Sequence, residues 1–178
     1  ASQICSKVIS FEPNPTCLAQ LNRNIEINKR QNIDVRPVGL ADKRGIAEFH
    51  VANASNIGGG SLREGSGEKF SVHLDTLDSQ LSAQPIRLIK IDIEGAEVLA
   101  LKGASAILSR PDAPDVICEI SENTLQQLGS SKEELFRLMS SHGYKNKIIS
   151  PIRKSNLTDE VPFFQYDALF YKDGAGQN

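Results

Sequence analysis

The sequence predicts an α/β fold in which a mostly parallel sheet is covered by helices on both faces. Short runs of β-branched and other apolar residues alternate with segments whose apolar residues recur at helical spacing. The strongest apolar run, residues 86–93, is followed closely by a glycine and a helical pattern. Ligands of such sheets bind beyond the carboxyl ends of the strands. The residues that end each strand are therefore the first candidates for function.

The first half of the chain is predicted to hold a strand, a turn, a helix and then three more strands. Residues 7–12 are of strand type, and Asn14 can cap a helix that has Pro15 at its first position and extends to about residue 28. The segment at residues 57–62, which contains three consecutive glycines at 58–60, predicts a hairpin loop, with a mobile flap over a ligand as the alternative. The further strands are predicted at residues 33–38, 45–51 and 69–74.

The second half continues the alternation of strands and helices. After the strand at residues 86–93, residues 95–108 show an apolar helical face. Ser131 and Glu134 form a capping box before another helix, which we expect to stop at Gly143. The remaining strands are predicted at residues 115–120, 144–149 and 166–171.

Length and composition agree with one domain, residues 1–178. The 178 residues are 39% hydrophobic and 24% charged, which is enough for a continuous core. The formal net charge of −2 argues against a nucleic-acid partner held by phosphate neutralisation. Because no transmembrane run or signal peptide is present, we expect no membrane partner and a cytoplasmic location. The sequence leaves open whether the protein forms a homodimer.

Three cysteines occur in the sequence, and none has the spacing of a zinc site. Cys5, Cys17 and Cys118 are far apart and lack any CxxC or Cys/His pattern. We therefore expect three buried, reduced thiols, as is usual in intracellular proteins.

The end of the strand at residues 86–93 carries charges where a central strand should be apolar. Side chains alternate along a strand, so Lys90, Asp92 and Glu94 share one side if the strand extends that far. Burying three charges costs several kcal/mol unless each is paired or faces a wet cleft. We therefore predict that this end lines a site, with a structural ion pair between Lys90 and Asp92 as the alternative.

Two further acidic residues have positions that suggest roles. Glu12 ends its strand, and in nucleotide-binding α/β folds an acid at the end of the second strand accepts hydrogen bonds from ribose hydroxyls. Gly95 allows a sharp turn from strand to helix, and Glu97 can serve as a capping acid at that helix start. The chain contains no GxGxxG motif, which argues against a dinucleotide-dependent dehydrogenase.

Metal and histidine chemistry are weaker alternatives. We expect no bound metal, although Asp92, Glu94 and Glu119 could together attract a hard cation. Histidines could serve as bases, but each lies on a predicted exposed strand or at a helix end. They are His50, His73 and His142.

Taken together, these segments resemble the FkbM family of methyltransferases. The pattern KxDxEGAE is the most specific part, and the resemblance extends over most of residues 8–120. The matching segments are FEPNP (11–15), VGLAD (38–42), GSL (60–62), TLD (76–78), IKIDIEGAE (89–97), LKGA (101–104) and ICE (117–119), and DALF (167–170) resembles the last strand.

The resemblance implies a Rossmann-like class I methyltransferase fold, with a mostly parallel seven-stranded sheet and one antiparallel strand. It also implies S-adenosylmethionine as cofactor and O-methylation of a hydroxyl on a sugar or natural-product small molecule. Glu12 would hold the ribose, while residues 39–41 would lie beside the adenine. The residues predicted to bind the cofactor are Glu12, Asn14, Gly39, Leu40 and Ala41.

The predicted catalytic residues are Asp92, Glu94 and Lys90. Methyl transfer from a sulfonium is a direct displacement, so the protein mainly has to align oxygen, methyl group and sulfur. Asp92, Glu94 or a water could take the hydroxyl proton, and Lys90 could orient the acid or stabilise the forming alkoxide. The role of Asp92 stays open between that of a base and that of a ligand for the cofactor's amine.

The front of the sequence departs from the family pattern. The family's first strand, its DxGxxxG loop and most of the following helix would precede Ala1, and residues 1–6 resemble the last turn of that helix. We therefore expect binding of the methionine end of the cofactor to depend on such a segment. A non-catalytic ligand-binding or assembly module of the same fold is the alternative function.

Overall fold

The computed structural model describes residues 1–51, 60–61, 69–81, 83–150, 153–155 and 163–173. The strands are β1 (Val8–Phe11), β2 (Ile33–Arg36), β3 (Gly39–Leu40), β4 (Gly45–Val51), β5 (Gly60–Ser61), β6 (Lys69–Asp75), β7 (Leu88–Ile91), β8 (Asp115–Ser121), β9 (Lys145–Ile148), β10 (Arg153–Ser155) and β11 (Phe163–Tyr171). The helices are α1 (Pro15–Ile27), α2 (Leu77–Leu81), α3 (Glu97–Lys102), α4 (Ser105–Leu108), α5 (Glu122–Gln127) and α6 (Lys132–Ser141).

The described strands form three sheets. β1 and β2 are a parallel pair. β7 and β8 are also parallel, and the antiparallel strand β11 follows β8 and carries β9 and β10. The third sheet has the order β3-β6-β4-β5 and is antiparallel except for β3 with β6. The α/β class is confirmed, but the sheets are smaller and more mixed than predicted, because β1 and β7 each pair on one side only within the described residues.

Helix starts follow the local sequence signals closely. The Oδ1 atom of Asn14 accepts a hydrogen bond from the Thr16 amide at 2.9 Å, and Pro15 occupies the first turn of α1. Ser131 caps α6 through the Glu134 amide at 3.1 Å. The chain leaves α6 at Gly143, whose φ of 82° lies in the left-handed region.

The single helix predicted at residues 95–108 is wrong, because the chain breaks it into α3 and α4. A Cβ at Gly103 would lie 2.0 Å from the carbonyl oxygen of Ala41, so only glycine fits against that backbone. The Gly103 carbonyl accepts a hydrogen bond from the Asp78 amide. In return, the Asp78 carboxylate accepts hydrogen bonds from the amides of Ala106 and Ile107 at the start of α4. The break therefore has a tertiary cause.

The hydrophobic core lies between the β7-β8-β11 sheet and its helices. Phe136 and Phe170 make an edge-to-face ring contact at 5.2 Å between centroids. Ile9 and Phe11 of β1 are half-buried against the same core, which joins the β1–β2 pair to it. The fully buried large side chains include Val98, Leu101, Ile107, Leu108, Val116, Ile120, Leu125, Leu135, Met139 and Phe170.

A polar network at the end of β6 ties the third sheet to its neighbours. The buried Asp75 carboxylate accepts hydrogen bonds from Arg44 at 2.8 Å, Ser79 at 2.6 Å and Gln80 at 2.7 Å. Burial alone would raise the pKa of Asp75, but these hydrogen bonds together hold it well below its ordinary value. Arg36 of β2 donates to the Gln80 carbonyl at 2.6 Å, which connects β2 to α2.

The cysteines are only partly as predicted. Cys118 is buried and Cys17 is half-buried, but Cys5 is exposed, so the expectation of three buried thiols is wrong for Cys5. Cys5 follows a single helical turn in which the amides of Ile4 and Cys5 bond to the Ala1 carbonyl. None of the helices that the structure describes is both long and apolar enough to cross a membrane.

Candidate functional site

The first candidate element is the corner that follows β1. The half-buried Glu12 uses Oε1 to accept a hydrogen bond from the Asn14 amide at 2.8 Å. Burial raises the pKa of Glu12, and this hydrogen bond opposes the rise. Asn14 is buried, and its side-chain oxygen caps α1. The structure thus gives Asn14 a clear structural task, and its predicted role toward a cofactor stays a prediction.

The segment Gly39, Leu40 and Ala41 lies beside this corner. A Cβ at Gly39 would lie 2.8 Å from Leu74 Cδ2 and 3.7 Å from Pro13 Cβ, which places Gly39 against the residue after Glu12. Ala41 is buried, and its amide donates to the Asp75 carbonyl at 2.9 Å. Gly39 therefore lies beside the corner that carries Glu12 and Asn14.

The second candidate element follows β7, which ends at Ile91. The Lys90 Nζ donates to Asp92 Oδ2 at 2.6 Å, and the two side chains are 56% and 44% exposed. Partial burial lowers the pKa of Lys90, but the hydrogen bond and charge of Asp92 raise it more. The ion pair expected as the structural alternative is thus present. An ion pair this exposed contributes little to stability, and its polar atoms remain open to a ligand.

Glu94 does not lie on the strand, so its predicted alternation with Lys90 and Asp92 is wrong. Its φ is 55°, and Gly95 follows with φ of 108°, both in the left-handed region. The chain must reverse here because Gly95 packs directly on α5: a Cβ at Gly95 would lie 2.3 Å from the Thr124 carbonyl oxygen. Left-handed backbone at a non-glycine residue costs energy and is concentrated at functional sites.

Glu97 supports this turn from the inside. Only 3% of the residue is exposed. Its Oε1 accepts hydrogen bonds from the amides of Gly95 at 3.0 Å and Ile93 at 3.3 Å. The Oε2 atom is buried and has no partner within the described part of the chain. Burial raises the pKa of Glu97, although the backbone hydrogen bonds oppose the rise.

Glu119 of β8 meets Asp92 across the parallel pair. Ile91 lies opposite Cys118, so the two acidic residues that follow are neighbours. Burial and then the negative charge of the neighbouring Asp92 raise the pKa of Glu119. A hydrogen bond from Gln165 of β11 opposes the rise. Glu119 therefore holds its proton more tightly than an isolated glutamate does.

The alternative bases and the metal find no support. His73 is exposed on β6, His142 Nδ1 lies 3.1 Å from Ser109 Oγ, and the His50 side chain falls outside the described residues. In the part of the chain that the structure describes, no group of three or more His, Cys, Asp and Glu residues could hold a metal ion. Of the segment 57–62, residues 57–59 and 62 also lie outside the described part of the chain.

Helix α3 connects the two candidate elements. Its first residue, Glu97, holds the turn that follows Asp92, and Gly103 at its end packs on Ala41. The short helix α3 therefore sets the spacing between the turn that follows Asp92 and the segment Gly39 to Ala41. At the β1 end lies the half-buried carboxylate of Glu12, near the buried Gly39. At the β7 end lies the exposed pair of Lys90 and Asp92. This arrangement can bind a polar ligand at one end and move a proton at the other.

Two solved structures share the fold. A methyltransferase FkbM from Methylobacillus flagellatus KT matches with a TM-score of 0.59 and 17% identity, covering 93% of this chain and 36% of its own. A precorrin-6y C5,15-methyltransferase from Geobacter metallireducens GS-15 matches with a TM-score of 0.50 and 11% identity, covering 94% and 68%. The chain therefore spans about a third of the length of the FkbM structure.

Sequence comparison identifies the family. No curated protein sequence matches the chain. The profile of the methyltransferase FkbM domain, however, matches residues 2–145, which is most of the chain. The resemblance read from the motifs is thus confirmed, and the chain belongs to the methyltransferase FkbM domain family.

Proposed function

We propose that this chain is the core of an S-adenosylmethionine-dependent methyltransferase that methylates a hydroxyl on a sugar or natural-product small molecule. Membership of the FkbM domain family supports the activity class. The observation that carries the site is the exposed Lys90–Asp92 pair beside Glu119, whose pKa is raised by burial and by the charge of Asp92. Lys90 and Asp92 lie at the end of β7, and Glu119 lies near the end of the adjacent parallel strand β8, where ligands of α/β sheets bind.

The β1 corner fits a nucleoside. Within the described residues, Glu12 Oε2 makes no hydrogen bond, so one carboxylate oxygen is available to ribose hydroxyls. Gly39 is buried against Leu74 and Pro13, which holds β3 beside the corner that carries Glu12. When bound, S-adenosylmethionine supplies a methyl group already activated on its sulfonium. The chain's own residues then have to hold the nucleoside and orient the acceptor.

The β7 end fits proton removal from an acceptor hydroxyl. Asp92 Oδ1 is not used by Lys90, whose ammonium holds the Oδ2 atom at 2.6 Å. Asp92 would accept the proton of an acceptor hydroxyl that donates to it, and the methyl group would come from S-adenosylmethionine, whose bond from methyl carbon to sulfur breaks and leaves the thioether. Lys90 keeps Asp92 oriented through this ion pair, and Glu94 lies at the adjoining turn.

We also propose that the β1–β2 pair and the sheet of β7, β8, β11 and β9 belong to one Rossmann-like sheet. These six strands leave one edge of β1 and one edge of β7 without a partner among the described residues. A further parallel strand between them would complete seven strands, with β11 antiparallel to β8. Unpaired backbone groups at such central edges would otherwise be costly.

This sheet proposal predicts the effect of a longer form of the protein. A form that continues ahead of Ala1 and supplies the strand and its glycine loop should bind S-adenosylmethionine about a hundredfold more tightly than residues 1–178 alone. Calorimetric titration of both forms measures the ratio. Equal affinities would show that the additional strand contributes nothing to the cofactor site.

Methyl transfer itself is tested with radiolabelled S-adenosylmethionine and a panel of sugars and hydroxylated small molecules, using the longer form. We expect label transfer to at least one hydroxyl and a loss of about a hundredfold or more in turnover for Asp92→Asn. Cofactor binding without transfer to any acceptor would favour the alternative, a non-catalytic ligand-binding module. No binding at all would overturn both.

A further inference from the structure

The turn between β7 and α3 is unusual because it is strained and yet is held by one buried side chain. Glu94 and Gly95 both have left-handed backbone, and both lie outside β7 and α3. Ala96, at the N-cap position of α3, provides no side-chain hydrogen bond. A conformation of this kind persists only where the surroundings determine it.

Glu97 is the side chain that determines it from inside the protein. Its Oε1 receives the Gly95 amide at 3.0 Å and the Ile93 amide at 3.3 Å, one on each side of Glu94. Hydrogen bonds to a carboxylate are stronger than those between neutral groups. From the other side, the Thr124 backbone limits the space over Gly95. The peptide units around Glu94 are therefore fixed on both faces.

A buried carboxylate that leaves one oxygen without a partner among the described residues is an energetically unfavourable way to cap a helix. A side chain at the N-cap position satisfies the first helix amides directly, as Asn14 does for α1. Glu97 is instead almost fully buried, and the amides of Ile93 and Gly95, which donate to its carboxylate, precede the helix. Its hydrogen bonds thus fix the turn that carries Asp92 and Glu94 rather than the helix itself.

We propose that Glu97 is a positioning residue that holds the Ile93–Gly95 turn and so sets where Asp92 and Glu94 stand. It touches neither cofactor nor acceptor and acts through the two backbone amides. The functional consequence rests on the proposed methyltransferase activity, but the positioning itself does not.

The test uses two variants that keep the side chain polar. Glu97→Gln retains an oxygen at the same reach and loses the charge. Glu97→Asp retains the charge but withdraws it by one methylene, so that it cannot reach both amides. Glu133→Gln on the exposed surface of α6 serves as the control for loss of one charge.

The first readout is amide hydrogen exchange by NMR, which needs no ligand. We expect Ile93 and Gly95 to exchange about tenfold or more faster in Glu97→Asp and within about threefold of the parent in Glu97→Gln. Core amides such as that of Leu135 should be unchanged in both variants. Unchanged protection of Ile93 and Gly95 in Glu97→Asp would overturn the proposal, as would equal losses in both variants.

The second readout is the split between turnover and cofactor affinity. In Glu97→Asp, we expect kcat to fall about tenfold or more while the Kd for S-adenosylmethionine stays within about threefold. Glu97→Gln should restore most of kcat, and Glu133→Gln should not change it. Loss of kcat in Glu97→Gln equal to that in Glu97→Asp would contradict positioning through the amides. If the parent binds no S-adenosylmethionine, the proposed function fails while the exchange readout still decides the role of Glu97.

Discussion

The two strand-to-helix corners of the site are built in opposite ways. After β1, Asn14 caps α1 through its own side chain and Pro15 sets the first helical residue, so the corner is specified locally. After β7, the chain passes through left-handed Glu94 and Gly95, and α3 starts without a side-chain cap. The second corner is held by a buried carboxylate and by the α5 backbone, which are tertiary contacts.

This difference fits the proposed division between a corner that binds the cofactor and a corner that performs the chemistry. A locally specified corner is rigid at low energetic cost and presents Glu12 in a fixed place. A strained corner persists only because its surroundings hold it, and strain of this kind is found where side chains must be presented in a particular geometry. The β7 corner also concentrates acidic residues, with Asp92 at the end of β7 and Glu119 on the neighbouring strand β8.

The largest effect is expected at Gly95. Gly95→Ala adds a Cβ that would lie 2.3 Å from the Thr124 carbonyl oxygen and also places alanine at φ of 108°, so we expect a loss of about 3 to 5 kcal/mol in the free energy of unfolding. The matched control is Gly129→Ala, where φ is 72° and no atom of the described residues lies within 4 Å of the added Cβ. It should lower the free energy of unfolding by about 1 to 2 kcal/mol. Urea unfolding measures both. Equal losses would show that the contact with Thr124 does not constrain the corner.

A smaller effect is expected at the β1 corner. Asn14→Ala removes the oxygen that caps α1, which should lower the free energy of unfolding by about 1 to 2 kcal/mol. Asn14→Ser keeps a capping oxygen and should recover most of this loss. If the serine variant is as unstable as the alanine variant, Asn14 stabilises the corner by packing and not by capping.

The smallest effect concerns the pH dependence of stability. The folded-state pKa of Glu119 is raised above its ordinary value of 4.5, so its favourable contribution is complete below pH 4.5 and is lost as the pH rises through the raised pKa. Glu119→Gln cannot ionise and should therefore lose less stability than the parent as the pH rises from 4.5. Urea midpoints at a series of pH values give the two slopes, and identical slopes would contradict a raised pKa of Glu119 in the folded protein.

Local sequence signals predicted the parts of the fold that local chemistry determines. The caps at Asn14 and Ser131 and the stop at Gly143 are encoded by residues within a few positions, and all three are confirmed. The break at Gly103 was not predictable, because its cause is the backbone of Ala41, more than sixty positions away in the chain. The alternation of side chains also predicted that Glu94 lies on the strand, because a sequence pattern contains no information about how the turn packs on α5.

The site shows the same division. The motif residues Lys90 and Asp92 could be selected because charges at the end of a central strand are out of place. Glu97 was read as a capping acid, and only the structure shows that its hydrogen bonds reach back to Ile93 and Gly95. Its burial follows from long-range packing, which a single sequence does not display.

The most direct test of the two-corner account is the affinity for S-adenosylmethionine of the parent, Glu12→Ala and Asp92→Asn, measured by calorimetry on the longer form. We expect Glu12→Ala to weaken binding by about 1 to 3 kcal/mol, as for a lost charge-assisted hydrogen bond, and Asp92→Asn to stay within about threefold of the parent. The reverse pattern, with Glu12→Ala unchanged and Asp92→Asn weakened, would place the cofactor at the β7 corner and contradict the account.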